Sequence, residues 1–297
     1  MFDGFIHHDV MTDRGTIHAV VGGDGPPLLL LHGFPETHLM WHAVAPALAE
    51  RFTVVVVDLP GYGDSHSPEP GEDHAPHSKR SMARDLVQVM GALGHDRFAL
   101  AGHDRGGRVG YRLALDSPEV VSALAVLDIV PTCEVWARAD ARFAMAYWHW
   151  PFLALPAPVP EEMVLAAPHE TFLSHHLTMI GRRAPGYPPE ITEDYLDRVQ
   201  NPMLVRAMCE DYRAGATIDR ELDEADRAAG RRIACPLLVL WGAHGALPSL
   251  YDDVLGIWRA WADDVRGEAL DATHYIPEDL PDETAATLEA FFSSTPA

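Results

Sequence analysis

The stretch Phe98-Ala99-Leu100-Ala101-Gly102-His103-Asp104-Arg105-Gly106-Gly107-Arg108 limits what this chain can become more than any other. A short apolar run of strand formers breaks off in a Gly-x-Asp-x-Gly turn, and Val109-Gly110-Tyr111-Arg112-Leu113-Ala114-Leu115 then takes up a helical period. Strand, sharp corner and helix in that order make a nucleophile elbow. The apical residue is held strained, and the flanking glycines let the two backbones approach without a Cβ clash. The apex here is Asp104, where the usual elbow carries Ser. A serine that displaced a group from an sp3 carbon would be left as a stable ether, whereas a carboxylate is left as an ester that water opens at the carboxyl carbon. The corner therefore points to displacement at an alkyl carbon followed by hydrolysis, and away from peptidase or lipase chemistry. An ordinary Gly-rich turn with a surface aspartate is the competing reading, and the rest of the chain decides between them.

Around the elbow, strands alternate with helices. Leu28-Leu29-Leu30-Leu31 and Thr53-Val54-Val55-Val56-Val57 are runs of strand length, apolar as strands buried on both faces of a parallel sheet are. Leu124-Ala125-Val126-Leu127 and Leu237-Leu238-Val239-Leu240-Trp241-Gly242 repeat the pattern. Helical periods are expected over residues 38–50, 82–93, 251–262 and 282–292. Gly15-Thr16-Ile17-His18-Ala19-Val20-Val21, followed by the turn Gly22-Gly23-Asp24-Gly25-Pro26, reads as the start of a β-hairpin. It is not a phosphate loop, because no Gly-Lys-Ser or Gly-Lys-Thr follows. The sum is an α/β fold, a mostly parallel, doubly wound sheet with the elbow at the carboxyl end of a central strand. Between residues 131 and 223 the pattern turns to helical runs rich in Met, Trp, His and Pro, which reads as an inserted helical cap. The expected division is residues 1–130 and 224–297 for the two parts of the core and 131–223 for the cap.

With 297 residues, 47% of them hydrophobic, the chain can bury a full core. No basic leader precedes an apolar run and no apolar stretch reaches about 18 residues, so a soluble, unprocessed protein is expected. Cys133, Cys209 and Cys235 are odd in number and far apart, which suggests neither a disulfide framework nor a clustered metal site and fits a reducing cytoplasm. A formal charge of −22 disfavours nucleic acid and anionic membrane as partners. It also means that an anionic substrate needs a local cationic patch. Lys79 is the only lysine, so that patch must come almost wholly from arginine. The 17 histidines lack the paired helical spacing and carboxylate companion of a metal site, and neither metal nor organic cofactor is needed for the chemistry.

A base and its orienting acid should follow the nucleophile in chain order. His274 stands in a short loop after the last strand and just before the final helix, the place for the base. Of two homes for the acid, the turn after the strand at 237–242 reads Ala243-His244-Gly245 and offers no carboxylate. The other, at the end of the preceding core strand, holds Asp128, which is assigned in preference to Asp252 or Asp253. Its task would be to fix the imidazole tautomer and stabilise the imidazolium formed when water is deprotonated. The loop His32-Gly33-Phe34-Pro35-Glu36-Thr37 follows a core strand, where Phe34 is placed to donate a backbone N–H to an anion hole.

Taken together, residues 23–35, the elbow with His103-Asp104-Arg105-Gly106, His149-Trp150, and Cys209-Glu210-Asp211-Tyr212-Arg213-Ala214-Gly215 resemble the haloacetate dehalogenases, the fluoroacetate-hydrolysing branch of the α/β-hydrolases. The resemblance covers nearly the whole chain. Asp-Arg-Gly-x-Arg with a His-Trp pair in the cap is its specific part, since the His-Gly-Phe-Pro loop is shared with epoxide hydrolases. It implies Asp104 as nucleophile, Arg105 and Arg108 on the substrate carboxylate, His149, Trp150 and Tyr212 around the leaving halide, and a homodimer.

Elementary electrostatics agrees. Two carboxylates about 4 Å apart repel by roughly 4 kcal/mol at an effective dielectric of 20. Arginines three apart on the first helical turn can bring compensating charge to one side of the pocket. Departing fluoride needs hard N–H and O–H donors, which His149, Trp150 and Tyr212 can supply. The relatives carry a further tryptophan midway through the cap where this chain has Ile180, so a wider pocket, open to 2-substituted halo acids, is expected. Two other classes stay open. An epoxide hydrolase would use the same nucleophile and base, though its close relatives place Trp where this chain has Arg105; a non-catalytic receptor on this fold would not need Asp104, His274 and Asp128 together.

Overall fold

The computed structural model describes residues 1–179 and 188–295. Eight strands form one sheet: β1 (Ile6–Met11), β2 (Thr16–Gly22), β3 (Pro27–Leu31), β4 (Thr53–Val57), β5 (Phe98–His103), β6 (Val121–Leu127), β7 (Leu237–Gly242) and β8 (Val265–Leu270). They lie in the order β1-β2-β4-β3-β5-β6-β7-β8. β1, β2 and β4 pair antiparallel, and every later pair is parallel.

The continuous apolar runs have a simple cause. Leu29, Leu31, Val55, Val57, Leu100 and Val126 join the core on one face of the sheet, while Leu28, Leu30, Val54, Val56, Ala101 and Ala125 join the core on the other. A strand covered on both sides has no polar face to alternate with. At the rims this changes. β1 reads Ile-His-His-Asp-Val-Met and β8 reads Val-Arg-Gly-Glu-Ala-Leu, both largely exposed, and neither carries a signal clear enough to be found by pattern.

Four local expectations need correction. The helix expected over residues 251–262 is only Val254–Arg259, because the Asp253 side chain caps it by accepting the Gly256 N–H and a separate short helix, Leu247–Leu250, ends just before. The turn at residues 22–26 does not close a hairpin, because β4 lies between β2 and β3; the hairpin is β1–β2, in register from Ile6↔Val21 to Met11↔Thr16. Residues 38–50 form two short pieces, a 3-10 turn His38–Trp41 and a helix Ala45–Leu48 with Pro46 in its first turn, not one helix. The helix expected from residue 82 begins earlier, as α1 (Lys79–Ala92), because the Ser78 hydroxyl caps it by accepting the Ser81 N–H.

The elbow helix α2 (Asp104–Asp116) leaves β5 at the middle of the sheet. A Cβ on Gly106 would come within 2.5 Å of the His32 carbonyl oxygen, and one on Gly102 within 2.5 Å of the Gly106 backbone, so this corner closes only around glycine. Between β6 and β7 the chain runs through eight helices among the described residues. Four matter below: α3 (Thr132–Ala137), α4 (His149–Leu153), α5 (Pro202–Ala216) and α6 (Ile218–Ala228). Together they lie over the carboxyl ends of the central strands. α6 is fixed to α2 by Arg112, which reaches Asp223 at 2.8 Å and Asp226 at 2.5 Å. The chain closes with α7 (Pro281–Ser293).

His32, just past β3, shows how the core constrains protonation. Its Nε2 accepts the Leu59 N–H at 3.0 Å, so the ring proton must sit on Nδ1, which donates to the Gly33 carbonyl at 2.8 Å. Burial pushes this imidazole down from 6.5 to about 4. The unfolded chain takes up the proton below about 6.5 while the folded one refuses it, so stability present above that pH drains away as pH falls toward 4. The full effect is about 3 kcal/mol, at roughly 1.4 kcal/mol per unit. Urea unfolding at pH 7 and pH 4.5 should show a larger fall for the wild type than for His32→Gln; equal falls would remove the argument.

Candidate active site

The site is built from the loops that follow β3, β5, β6 and β8, with the end of β7 beside them. Asp104 has φ 41, the strained apex that a strand-to-helix corner requires of a side-chain-bearing residue. Its carboxylate is buried, with Oδ2 accepting the Phe34 N–H at 3.2 Å and Oδ1 lying 3.9 Å from Arg108 Nε. Burial alone would raise this carboxyl. His274, Arg108, Arg105 and His103 around it favour its anion more than burial opposes it, and hold it below the ordinary aspartate value. Asp104 is therefore an anion throughout the neutral range.

His274 is paired with Asp128. Its Nδ1 lies 2.5 Å from Asp128 Oδ2, and Asp128 Oδ1 accepts the Gly242 N–H at 2.9 Å. An ionised carboxylate only accepts, so Nδ1 carries the proton and Nε2 is left as the basic nitrogen. Asp128 has φ 55 and both oxygens are used, which fixes the imidazole plane. Asp253 instead accepts the N–H of Gly256 at the start of its own helix.

The two elbow arginines are each held along one edge by the helical layer. Arg105 Nε donates to Asp211 Oδ2 at 2.8 Å and Nη2 to the Asp211 carbonyl at 2.9 Å, and both acceptors belong to α5. Arg108 Nη1 donates to the Val130 carbonyl at 2.9 Å and to Thr132 Oγ1 at 3.2 Å. The guanidinium carbons lie 5.6 Å and 4.5 Å from the Trp150 ring centre, and Arg105 lies 4.2 Å from that of Tyr212. Arg105 Nη1, Arg108 Nε and the Tyr212 hydroxyl are buried with no hydrogen-bond acceptor among the described residues. Burial pushes Tyr212 well above the ordinary tyrosine value, so its hydroxyl keeps the proton it could donate.

The aromatic wall is compact. Phe34 stacks on His149 at 6.0 Å and meets Tyr212 edge-on at 5.2 Å, while His149 and Trp150 lie 5.6 Å and 6.0 Å from Tyr212. The site thus brings together Asp104, His274, Asp128, Arg105, Arg108, His149, Trp150, Tyr212 and Phe34. Ile180 falls outside the described residues.

Several residues around the site carried no role in the sequence reading. Glu36 is buried, its Oε2 lies 3.0 Å from His103 Nδ1, and His103 Nε2 lies 2.9 Å from the His274 carbonyl. That carbonyl only accepts, so His103 Nε2 carries a proton and the loop bearing the base is tied to the elbow. Burial pushes the Glu36 carboxyl up to about 8, so it holds a proton at neutral pH. Asp211, Lys79, Tyr62 and Thr132 likewise act at a distance in sequence. The signal available was weak: a lone lysine, and an aspartate beside the motif tyrosine.

Among the described residues no group of three or more His, Cys, Asp or Glu side chains could hold a metal ion. No helix of the described residues is long and apolar enough to cross a membrane.

Comparison with known proteins shows the family of the chain. A family model described as the α/β-hydrolase fold matches residues 26–247. A fluoroacetate dehalogenase of Burkholderia sp is 46% identical over 294 residues, covering 99% of this chain and 95% of the relative. A soluble epoxide hydrolase of Corynebacterium sp. (strain C12) is 31% identical over 297 residues, covering 97% of each. Among solved structures, an α/β-hydrolase-fold protein of Nostoc sp PCC 7120 superposes with a TM-score of 0.96 at 46% identity, covering 99% of this chain and 100% of that one. The epoxide hydrolase CorEH without ligand gives 0.85 at 28% identity, covering 97% and 99%.

Proposed function

Because the chain belongs to the haloacetate dehalogenase family of α/β-hydrolases, we propose that it hydrolyses short 2-halo carboxylates, fluoroacetate and its chloro analogue among them, to 2-hydroxy acids and halide. The observation that supports this most directly is the set of orphaned donors beside an ionised Asp104. Arg105 Nη1 and Arg108 Nε can take the two oxygens of a carboxylate, and the Tyr212 hydroxyl can take a halide. Leaving such donors buried and unpaired costs about 1–3 kcal/mol each. Anions that fill the site relieve that cost.

In the first step Asp104 Oδ1 attacks the carbon bearing the halogen, a C–O bond forms, and the C–X bond breaks with both electrons leaving on halide. Oδ2 is the oxygen tied to the Phe34 N–H, so it becomes the carbonyl oxygen of the ester. His274 Nε2 then takes a proton from water, and the hydroxide adds to the Asp104 carboxyl carbon. The Phe34 N–H meets the charge that grows on Oδ2, a type of contact worth on the order of 100- to 1,000-fold in rate. Collapse expels the 2-hydroxy acid oxygen, which takes the proton from His274, and the Asp104 carboxyl, now carrying one oxygen from water, gives up the proton of the added hydroxide to solvent and returns as the carboxylate.

The full-length epoxide hydrolase relative keeps a second reading in view, with the same nucleophile and base opening an epoxide. An epoxide has no carboxylate, and Arg105 Nη1 and Arg108 Nε would stay unpaired. Ion-selective electrode readings with fluoroacetate and chloroacetate, run beside styrene oxide turnover, separate the two. Halide release is expected, with Arg105→Leu lowering kcat/KM by on the order of 100-fold or more through loss of a charge-assisted contact. Epoxide turnover without halide release would replace this proposal by the other.

A further inference from the structure

The motif residue Asp211 and the lone Lys79 are absorbed by no step above, yet they meet behind Arg105. Lys79 is 2% exposed and Asp211 is 0% exposed. The ammonium of Lys79 is bonded to Asp211 Oδ1, while Oδ2 of the same carboxylate accepts from Arg105 Nε at 2.8 Å and from the Tyr62 hydroxyl at 2.7 Å. Lys79 also lies 3.7 Å from Asp219 Oδ2, and its backbone N–H donates to Asp219 Oδ1 at 2.9 Å. The elements so joined are the start of α1, α2, α5 and α6.

Such an arrangement has an electrostatic purpose. A buried carboxylate that grips Arg105 by its Nε edge fixes the guanidinium, but it also cancels the positive charge that an arriving anion must feel. Lys79 on the opposite oxygen restores it. Within this linked set, Arg105, Arg108 and Lys79 stand against Asp104, Asp211 and Asp219; without Lys79 the same set carries a net negative charge when a substrate anion arrives. We propose that Lys79 is a positioning residue for carboxylate recognition: by neutralising Asp211 it lets Arg105 be held rigidly and still present its charge to the substrate. This rests on the reading of Arg105 as a carboxylate ligand.

The groups facing Lys79 make a pH signature readable. These are Asp211 on α5, Asp219 on α6, Arg105 on α2, and His77 and Tyr62 in the adjoining loops. Burial pushes His77 down to about 4 and Tyr62 well above the ordinary tyrosine value, so both are neutral at mildly alkaline pH. Burial and the Arg105 charge lower Lys79, which therefore gives up its proton below the usual lysine range. The pocket loses a cation on the alkaline side, and carboxylate binding weakens there.

The test uses acetate, a carboxylate with no leaving group, followed by quenching of tryptophan fluorescence, alongside chloroacetate kinetics from pH 7 to pH 10. Lys79→Met should weaken acetate binding at least about tenfold and raise KM for chloroacetate by more than it lowers kcat. The wild-type KM should climb on the alkaline side, and Lys79→Arg, which does not deprotonate, should keep KM flat over the same range. That second variant preserves the buried charge and answers the question even if Lys79→Met fails to fold. Wild-type-like acetate binding by Lys79→Met, or an unchanged alkaline rise in Lys79→Arg, would overturn the proposal alone. A wild type that binds no acetate at any pH would overturn the carboxylate reading beneath it as well.

Discussion

Asp104→Asn should lower halide release by on the order of 10⁴-fold or more while leaving the fold intact. The loss is large because the amide oxygen is a poor nucleophile at carbon. The fold survives because Asn tolerates the left-handed backbone that φ 41 at this corner demands, and its oxygen can still accept the Phe34 N–H. An unchanged melting temperature with abolished turnover is the expected pair of results. Mass spectrometry of the variant should accompany the assay, since water activated by His274 can convert the asparagine back to aspartate. A variant that remains amidated and keeps full turnover would show that some other group performs the displacement.

His274→Gln should separate the two halves of the reaction. Displacement needs only the Asp104 carboxylate and the anion-binding donors, so one equivalent of halide should appear rapidly. Ester hydrolysis needs the base, and the second turnover should slow by on the order of 100- to 10,000-fold. The protein should then gain one carboxymethyl group on the peptide that contains Asp104. Asp128 is left with a single donor, the Gly242 N–H, so a stability loss of about 1–3 kcal/mol is expected beside the kinetic effect. Absence of both the halide burst and the adduct would argue that His274 acts before the displacement.

How much of this was legible in the sequence depends on whether a residue acts through its neighbours or through distant parts of the chain. β3, β4, β5 and β7 could be read because burial on both faces leaves the middle of each strand apolar, as in Leu28-Leu29-Leu30-Leu31. β1 and β8 could not, since a strand at the rim answers to solvent along much of its length. Asp128 was reached by elimination, with Asp252 and Asp253 as alternatives, and its Oδ2 lies 2.5 Å from His274 Nδ1. The partners of the arginines lay beyond reach. Asp211 is 106 residues from Arg105, and nothing in either local sequence says that one guanidinium edge is already taken. Glu36 could be read as a loop residue but not as the group behind His103, because the chain must fold before β3 and β5 bring them within 3.0 Å.

The burial of Lys79 reaches beyond binding. Reagents that acylate side-chain amines find no lysine on the surface of the folded chain, so a dye or resin chemistry of that kind leaves the side chains of the native protein untouched. When the corner between α1, α5 and α6 opens, a single side-chain amine is uncovered. The rate at which one acyl group accumulates at residue 79 is then a clock for that local opening, read without any engineered label.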